Sequence, residues 1–307
     1  MKYIFNSLKI IVVLTLVSHF LNCSSADSKE PLLSASDRNA FNEYWYGGKA
    51  EITRYALDQA RYGEMRKGDA VLIFVTEPFL TDKQVKHEYG DSENTTSVLK
   101  LNFTKKFYTG IYPYSMMTSV FTPVDVTSQS TLKVVSSTQE WCGQTFMQLN
   151  ARDDKLQAQM RSYFQRENDR DFELKSALLE DEIWTRIRLA PRTLPTGNIE
   201  LIPGLQFARL GHASLEIEKA RASLTQEDGV QVYSVQYIDL KRKLTIKFEK
   251  DFPYQILEWE DEHMSGFGSR AKMLTTRAVK THSIKSDYWT KNKLSDSHLR
   301  DELGLIY

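Results

Sequence analysis

Beyond the first 22 residues, the histidines of this chain are too widely spaced to form a recognisable metal site. No two of these lie three or four residues apart, the spacing by which one helix face holds zinc, and none of them has a cysteine nearby. Acidic neighbours occur in His87-Glu88 and Asp261-Glu-His263, which we expect to be solvated loop residues. The histidines beyond the first 22 residues are His87, His212, His263, His282 and His298. The sequence therefore predicts no metal ligand.

Cys142 is a candidate nucleophile, in the segment Glu140-Trp-Cys-Gly-Gln144 beside a predicted strand. A catalytic thiol needs a base and an oxyanion donor, and no histidine is near it in sequence, although folding could bring one close. A buried free cysteine next to Trp141, acting as a small apolar residue, is the simpler interpretation. An envelope hydrolase built on Cys142 and one histidine is the alternative.

The acidic clusters do not specify a catalytic geometry. Glu180-Asp-Glu182 falls in a predicted helix, where Glu180 and Asp181 are expected on the solvated face and consecutive acids diverge. Asp153-Asp154 and Glu260-Asp-Glu262 are expected in turns. The chain has no Gly-x-Ser-x-Gly segment and no phosphate loop, and Gly266-Phe-Gly268 is far from a dinucleotide fingerprint. We therefore predict no catalytic residue and no cofactor.

Two aromatic clusters could form a binding groove. They are Tyr44-Trp-Tyr46 and the segment from Phe107 to Tyr114. Such clusters are typical of core packing and cross-strand pairing, and they can also line a site for a lipid, glycan or peptide. Both interpretations remain open at this stage.

The first 22 residues have the pattern of a secretory signal peptide. Lys2 and Lys9 supply the positive charge, and Ile10–Val17 supplies a short apolar run. A membrane-spanning helix needs roughly 20 apolar residues, so this run is too short to span comfortably. No comparable run follows it. The sequence predicts an exported protein.

Cys23 stands directly after this leader. Phe20-Leu-Asn-Cys23 resembles a bacterial lipobox, in which the cysteine is acylated and becomes the new N-terminus. We expect lipid attachment, such as palmitate, at Cys23, with residues 23–30 as a flexible tether. Cleavage at Ser24-Ser-Ala26, which would discard Cys23, is an alternative. A Cys23–Cys142 disulfide is another, because these are the two cysteines of the chain.

The charge balance argues against a nucleic-acid partner. The 307 residues carry 40 basic and 40 acidic side chains, and the leader removes Lys2 and Lys9 without any acid. Nucleic-acid binders usually show a basic excess or a basic face. The expected partners are the membrane, through the N-terminal lipid, and a lipid, glycan or peptide ligand.

The hydrophobic pattern predicts a mainly β (α+β) fold. Apolar runs and alternating segments predict strands on both sides of one central helix over 175–189, with short helices over 31–45 and 296–303. Residues 193–197 are the best candidate boundary between halves. We expect residues 31–307 to form a single domain, a large curved antiparallel sheet or half-barrel with a central helix and short capping helices.

Long blocks of the sequence resemble a family of exported lipoproteins from Bacteroidota-type bacteria. These include FNEYWYGGKAEITRYALDQARYGEMRKGDAVLIFVTEPFL, FYTGIYPYSMMTSVFTPV, STQEWCGQTFMQLN, LLEDEIWTRIRLAP and LKRKLTIKFEKDFPYQILEWE. The resemblance implies location in the cell envelope of a Gram-negative bacterium, on the inner or outer membrane, and it implies no reaction. The sheet-and-helix pattern is also similar to periplasmic half-barrel lipid carriers, an analogy of fold only.

Members of that family sometimes carry the name septum formation inhibitor Maf. Maf pyrophosphatases are cytoplasmic α/β enzymes with a Pro-Arg-Arg phosphate-binding motif near the N-terminus, where this chain has a leader. Ala190-Pro-Arg192 is the nearest match. We therefore expect a non-enzymatic envelope lipoprotein that binds a hydrophobic or envelope ligand or has a structural role. The envelope hydrolase is the alternative, and a nucleotide pyrophosphatase is the weakest one.

Overall fold

The computed structural model describes residues 35–305, with side chains from Arg38 onward. The protein is mainly β, as predicted. The described α-helices are α1 (Ala35–Trp45), α2 (Glu180–Leu189), α3 (Leu205–Gly211) and α4 (His298–Glu302). Short 3-10 turns occupy Pro191–Thr193, Gly268–Arg270, Tyr288–Thr290 and Leu294–Ser297.

All described strands belong to one sheet of 16 strands. They are β1 (Ala50–Arg61), β2 (Glu64–Leu80), β3 (Val85–Lys86), β4 (Thr95–Thr109), β5 (Tyr112–Pro123), β6 (Lys133–Glu140), β7 (Gly143–Arg152), β8 (Lys155–Ser162), β9 (Arg170–Lys175), β10 (Leu178–Leu179), β11 (Gly197–Ile202), β12 (Glu218–Glu227), β13 (Val230–Tyr237), β14 (Lys243–Glu249), β15 (Ile256–Ser265) and β16 (Lys272–Ser286).

The sheet consists of two antiparallel meanders that meet at its middle. Its order is β10-β11-β12-β13-β14-β15-β16-β1-β2-β4-β5-β6-β7-β8-β9, with β3 paired to β2. Only the short β10–β11 pair is parallel within the described chain. The pairing of β1 with β16 joins the meanders and sets Ala50 opposite Ser286. The predicted large antiparallel sheet is therefore confirmed, and it is open.

The hairpin turns follow from their residues. Tyr62-Gly63 and Asp228-Gly229 are two-residue loops whose residues all have φ between 48° and 81°. A type I′ turn needs positive φ at both central positions, which glycine and aspartate tolerate best. Its twist matches that of the flanking strands, so these turns fix the register of the hairpins.

The two edges of the sheet are consecutive in the chain. β9 ends at Lys175 and β10 starts at Leu178, although these strands lie at opposite ends of the strand order. β10 then continues directly into α2, of which nine residues are buried. The chain thus passes from one edge of the sheet to the other within a few residues.

The main core lies between one face of the sheet and helices α1, α2 and α3. Trp184 of α2 meets Phe103 and Trp259 edge to face, with ring centroids 5.0 and 5.3 Å away. Ile183 and Ile187 are completely buried beside it. The four-residue spacing of Leu179, Ile183 and Ile187 in the sequence did predict this face.

A smaller apolar cluster covers the opposite face of the central strands. This cluster contains Ile52, Val71 and Val75, whose side chains point away from the main core. They pack with Leu303 of the C-terminal segment. The turns and α4 after β16 therefore act as a cover for the middle of the sheet.

The helix boundaries differ from the prediction in one place. Residues 175–179 are not helical, because Leu178 and Leu179 pair in parallel with Leu201 and Ile202 as β10. The beginning of the predicted 31–45 helix lies outside the described residues, and α1 covers the rest. Residues 193–197 separate strands of the same sheet.

Candidate functional site

An apolar groove lies between α1 and the C-terminal end of α2. Its volume is about 270 Å³. Arg38, Asn42 and Tyr46 line it from one face of α1, because residues four apart lie above one another on a helix. The remaining lining residues are Phe41, Val124, Asp125, Val126, Leu189, Ala190, Pro191, Arg192 and Tyr254.

The inward face of α1 fixes the groove wall. Phe41 and Trp45 are almost fully buried. The Phe41 ring lies 6.1 Å from that of Phe252, and Trp45 meets the ring of Phe74 at 6.3 Å. The Thr76 hydroxyl donates to the Trp45 carbonyl and so holds the end of the helix on β2. Phe41 lines the groove as well, so the groove runs along the border between the attached side of α1 and its exposed side.

A buried charged network joins α1, α2 and β1 beneath the groove. The Arg188 guanidinium donates to both carboxylate oxygens of Glu51, at 2.6 and 2.7 Å, and its Nε donates to the Pro253 carbonyl at 2.9 Å. The Tyr44 hydroxyl donates to Glu51 as well. Arg188 also lies over the rings of Trp45 and Phe74.

This network controls the protonation of Glu51. Burial would raise the pKa of its carboxyl, but the charge and hydrogen bonds of Arg188 outweigh burial and lower that pKa to about 2. Burial and the Glu51 charge raise the pKa of Tyr44 above its ordinary value. Glu51 is therefore a carboxylate and Tyr44 a neutral donor at neutral pH.

Two arginines give the groove rim its positive charge. Arg38 and Arg192 are exposed, and neither forms an ion pair with another described residue. Asp125 lines the groove too, and hydrogen bonds from Thr127 and Ser128 lower the pKa of its carboxyl, so it is an anion at neutral pH. The groove therefore combines an apolar lining with two cationic groups and one anionic group, an excess of one positive charge that suits an amphiphile with an anionic end.

A second charged cluster is deeply buried on the other side of α2. Arg242 donates to Glu180 at 2.8 Å and to Asp261 at 2.7 Å, and the Tyr237 hydroxyl also donates to Glu180. The Phe207 ring lies 3.8 Å from the guanidinium carbon of Arg242. The cavity here is about 30 Å³, roughly the volume of one water molecule in the liquid. A substrate would not fit, so this cluster is structural.

Two groups of this cluster have strongly shifted protonation. Burial raises the pKa of Asp181 to about 7, although the backbone N–H of Leu205 donates to it at 3.0 Å. Burial lowers the pKa of Lys105 to about 8. Shifts of this size are frequent at active sites, and they also arise in structural ion networks. The small cavity favours the second explanation here.

The predicted solvated face of α2 is therefore wrong. Glu180, Asp181 and Glu182 are all buried, with less than a tenth of each exposed. Each has a partner: Arg242 for Glu180, the Leu205 N–H for Asp181, and the Thr131 N–H for Glu182 at 3.2 Å. The first turn of a helix favours acidic residues, and these three also fasten it to the sheet and α3.

Cys142 is exposed, which contradicts the buried thiol expected from the sequence. It lies in the two-residue turn between β6 and β7, and its backbone N–H donates to Glu140 at 2.6 Å. The hydrogen bond to Glu140 raises the pKa of the Cys142 thiol. A nucleophilic cysteine needs the opposite shift, so the geometry gives no support to a hydrolase built on this residue.

The histidines occupy separate environments. His263 is buried in β15 within reach of Asp261, and the whole Asp261–His263 segment is strand, so the predicted loop position is wrong for it. His212 ends α3 and contacts Glu167 at 2.9 Å, and His87 follows β3. Residues 35–305 contain no group of three His, Cys, Asp or Glu side chains placed to hold a metal ion.

The two aromatic clusters have different roles. In the first, Tyr44 and Trp45 pack inward, as core packing predicts, and Tyr46 lines the groove. In the second, Phe107 stacks on Tyr114 in the core while Tyr108 and Ile111 are exposed. No sequence pattern predicts a binding role for Arg38. Arg192 stands out in the sequence only as part of Ala190-Pro-Arg192, the nearest match to the Maf motif.

Cys23, the predicted site of lipid attachment, lies outside the described residues, as do the leader and the tether. Among the helices at residues 35–305, none has the length and apolar character that crossing a bilayer requires. No protein family, curated protein or solved structure matches this chain.

Proposed function

We propose that this protein is a lipid-anchored, non-enzymatic component of a bacterial cell envelope, and that the groove beside α1 binds an acyl chain with an anionic end. The observation that carries the proposal is the apolar groove of about 270 Å³ with Arg38 and Arg192 at its rim. Small-molecule sites usually measure about 300 to 1,000 Å³, so this groove suits one chain rather than a multi-chain lipid.

The expected affinity comes from the apolar part of the ligand. Each buried methylene contributes about 0.8 kcal/mol, so six of them would supply roughly 5 kcal/mol. The arginines add charge-assisted hydrogen bonds to a carboxylate or phosphate, and Arg192 is suited to bind two oxygens at once. The ligand class is therefore a fatty acid or a related single-chain amphiphile.

We also propose that the sheet curves strongly around α2 as its central helix. Lys175 and Leu178, on opposite edges of the sheet, are three residues apart and so at most about 11 Å from each other. Fifteen flat strands would span about 67 Å. Such a short link between the edges requires strong curvature. The burial of α2 and its contacts to β1, β4 and β15 support its central place.

The position of the groove fits an N-terminal anchor. Acylation at Cys23 would leave twelve residues before α1, a reach of about 42 Å at most. Since α1 forms one wall of the groove, the anchor would hold the groove within about 42 Å of its membrane. Labelling of growing cells with palmitate tests the anchor: label on the chain and none on Cys23→Ala is expected, whereas an uncut, unlabelled cytosolic chain would contradict it.

Binding of cis-parinaric acid, a fluorescent fatty acid, tests the groove. The full chain would carry Cys23→Ala, so that it has no acyl group of its own. We expect saturable binding, lost in Ala190→Phe because the new ring fills the groove. The double variant Arg38→Ser/Arg192→Ser should weaken binding of the acid about tenfold and leave binding of its methyl ester unchanged.

Arg221→Ser is the matched control, since Arg221 is an exposed arginine on β12, outside the groove. It should bind the acid like the parent chain. The proposal fails if the parent chain does not bind the probe, or if Ala190→Phe binds it equally well.

A further inference from the structure

Apolar side chains project from a row of neighbouring hairpin turns at one end of the sheet. In sheet order, these turns join β15–β16, β1–β2, β4–β5, β6–β7 and β8–β9. We call their apolar residues the tip row: Phe267, Tyr62, Ile111, Trp141 and Tyr163. Four of them are strongly exposed, Phe267 at 56%, Ile111 at 78%, Trp141 at 68% and Tyr163 at 79%.

The tip row is a continuous surface. The Tyr62 ring lies 6.1 Å from Phe267, and Trp141 lies 6.3 Å from Tyr112, which flanks Ile111. Tyr163 leans against the next turn, since a side chain on Gly143 would meet its ring at 2.9 Å. Neighbouring turns therefore touch, so their exposed apolar side chains form one extended patch.

Buried partners hold the row in place from below. The Tyr62 and Tyr114 hydroxyls are 2.8 Å apart, and Arg61 donates to both at 3.1 Å. Arg61 also donates to the Leu210 carbonyl at 2.6 Å. The exposed side chains are thus carried on a rigid base of paired polar groups.

The hairpin turns at the two ends of the sheet differ in their balance of charge. The turns at the tip end, over 62–63, 110–111, 141–142, 163–169, 238–242 and 266–271, contain four basic residues and the three acidic residues Glu167, Asp169 and Asp239. The connections at the other end, over 81–94, 124–132, 153–154, 228–229 and 250–255, contain only three basic residues, Lys83, Lys86 and Lys250. Their acids are Asp82, Glu88, Asp91, Glu93, Asp125, Asp153, Asp154, Asp228 and Asp251. An anionic surface would therefore repel the tip end less than the other end.

A polar cleft opens between three of these turns. Its volume is about 660 Å³. Arg66, Arg270 and Lys272 line it together with one acid, Glu64, which pairs with Arg66. The aromatic rings of Tyr62, Tyr112 and Phe267 also line the cleft. Cationic groups beside aromatic rings are suited to a phosphate headgroup whose acyl chains lie alongside.

We propose that the tip row docks on an anionic phospholipid membrane. Trp141, Ile111 and Phe267 enter the headgroup region, where aromatic side chains are favoured, and the cleft receives a lipid phosphate. This site is distinct from the groove, which lies beside the start of β1, whereas the tip row lies at its other end. The two sites are therefore testable separately.

Vesicle flotation tests the docking, again with the full chain carrying Cys23→Ala. The chain should float with vesicles of phosphatidylglycerol and phosphatidylcholine, and much less with phosphatidylcholine alone. The triple variant Ile111→Ser/Trp141→Ser/Phe267→Ser should reduce the bound fraction about tenfold. Any contribution of residues 1–34 is the same in both chains, so the difference reports the tips.

Val85→Ser/Tyr89→Ser is the matched control, because it removes exposed apolar side chains from the opposite end. It should float like the parent. All these side chains are exposed, so each variant should keep the parent's unfolding temperature. The proposal is overturned if the parent does not float with anionic vesicles, as expected for a protein-binding surface, or if the triple variant floats equally well.

Discussion

Arg188 and Glu51 form a doubly hydrogen-bonded ion pair that is inaccessible to solvent and joins α2 to the first strand. Both side chains are at most 1% exposed, and the two hydrogen bonds measure 2.6 and 2.7 Å. A buried charge without a partner is far more costly than a buried pair, because nothing then offsets its desolvation. We therefore expect the folded state to lose stability when either partner of this pair is replaced alone.

Arg188→Met should destabilise the protein by about 3 to 5 kcal/mol, because Glu51 would remain buried and unpaired. The double variant Arg188→Met/Glu51→Met should recover part of this loss. Urea unfolding would measure both. Lys155→Met breaks an exposed pair with Glu173 and serves as the control, with an expected change below about 1 kcal/mol. Equal losses of stability in Arg188→Met and Lys155→Met would contradict the claim that the buried pair matters more than the exposed one.

Asp181 should make stability depend on pH on the acidic side of neutrality. Its pKa is about 7 in the folded chain and 3.8 in the reference state. Between these values the folded state holds a proton that the unfolded state releases, so stability falls as pH rises from about 4 to 7. The slope is at most about 1.4 kcal/mol per pH unit.

Asp181→Asn should remove that slope while keeping an acceptor for the Leu205 N–H. Urea unfolding at a series of pH values gives the comparison. The neighbouring Glu180, Arg242 and Lys105 stay in place, and the slopes of the parent and variant curves should therefore differ only between about pH 4 and 7. Parallel curves across that range would rule the assignment out.

Cys142 should react slowly with iodoacetamide near neutral pH despite its exposure. The hydrogen bond to Glu140 raises the pKa of its thiol, and the thiolate is the reactive form. Glu140→Gln removes the negative charge and should move the pH–rate profile to lower pH. Cys142→Ser should leave acyl-ligand binding unchanged, whereas loss of binding would revive a functional role for the thiol.

Gly68 is a position where β2 and β4 approach closely. A Cβ there would contact the Lys106 carbonyl and lie 2.8 Å from the Cβ of Phe107. Gly68→Ala should therefore destabilise the protein by about 1 to 3 kcal/mol, as overpacking usually does. Gly211→Ala is the control, because its new Cβ would lie 3.5 Å from the Phe207 ring. Thermal unfolding that ranks the two variants in reverse would contradict this reasoning.

Much of the sheet was predictable from local pattern. Apolar and polar residues alternate in Lys243–Phe248, and Ala70–Thr76 is a continuous apolar run. Both patterns are typical of strands and are visible in the sequence alone, and both segments are strands in the structure. Asp228-Gly229 similarly encodes a hairpin turn. The helix over Glu180–Leu189 was found because its apolar residues recur every four positions.

The candidate site was less predictable, because its residues meet only through tertiary packing. Arg38 and Arg192 are far apart in sequence and share one groove rim. Glu180 and Asp181 have the composition of a solvated helix face, and only Arg242, some 60 positions later, shows why they are buried. Exposure of Cys142 depends on the two-residue turn at 141–142, which the strand pattern around it does not reveal.

The meeting of β1 and β16 at the middle of the sheet has a consequence for biosynthesis. Ala50 cannot find Ser286 until nearly the whole polypeptide has left the ribosome. Until then β1 presents a long unpaired edge, a template for wrong partners. Export of the chain before it folds, followed by completion of the seam in the envelope, would keep that edge away from the crowded cytoplasm.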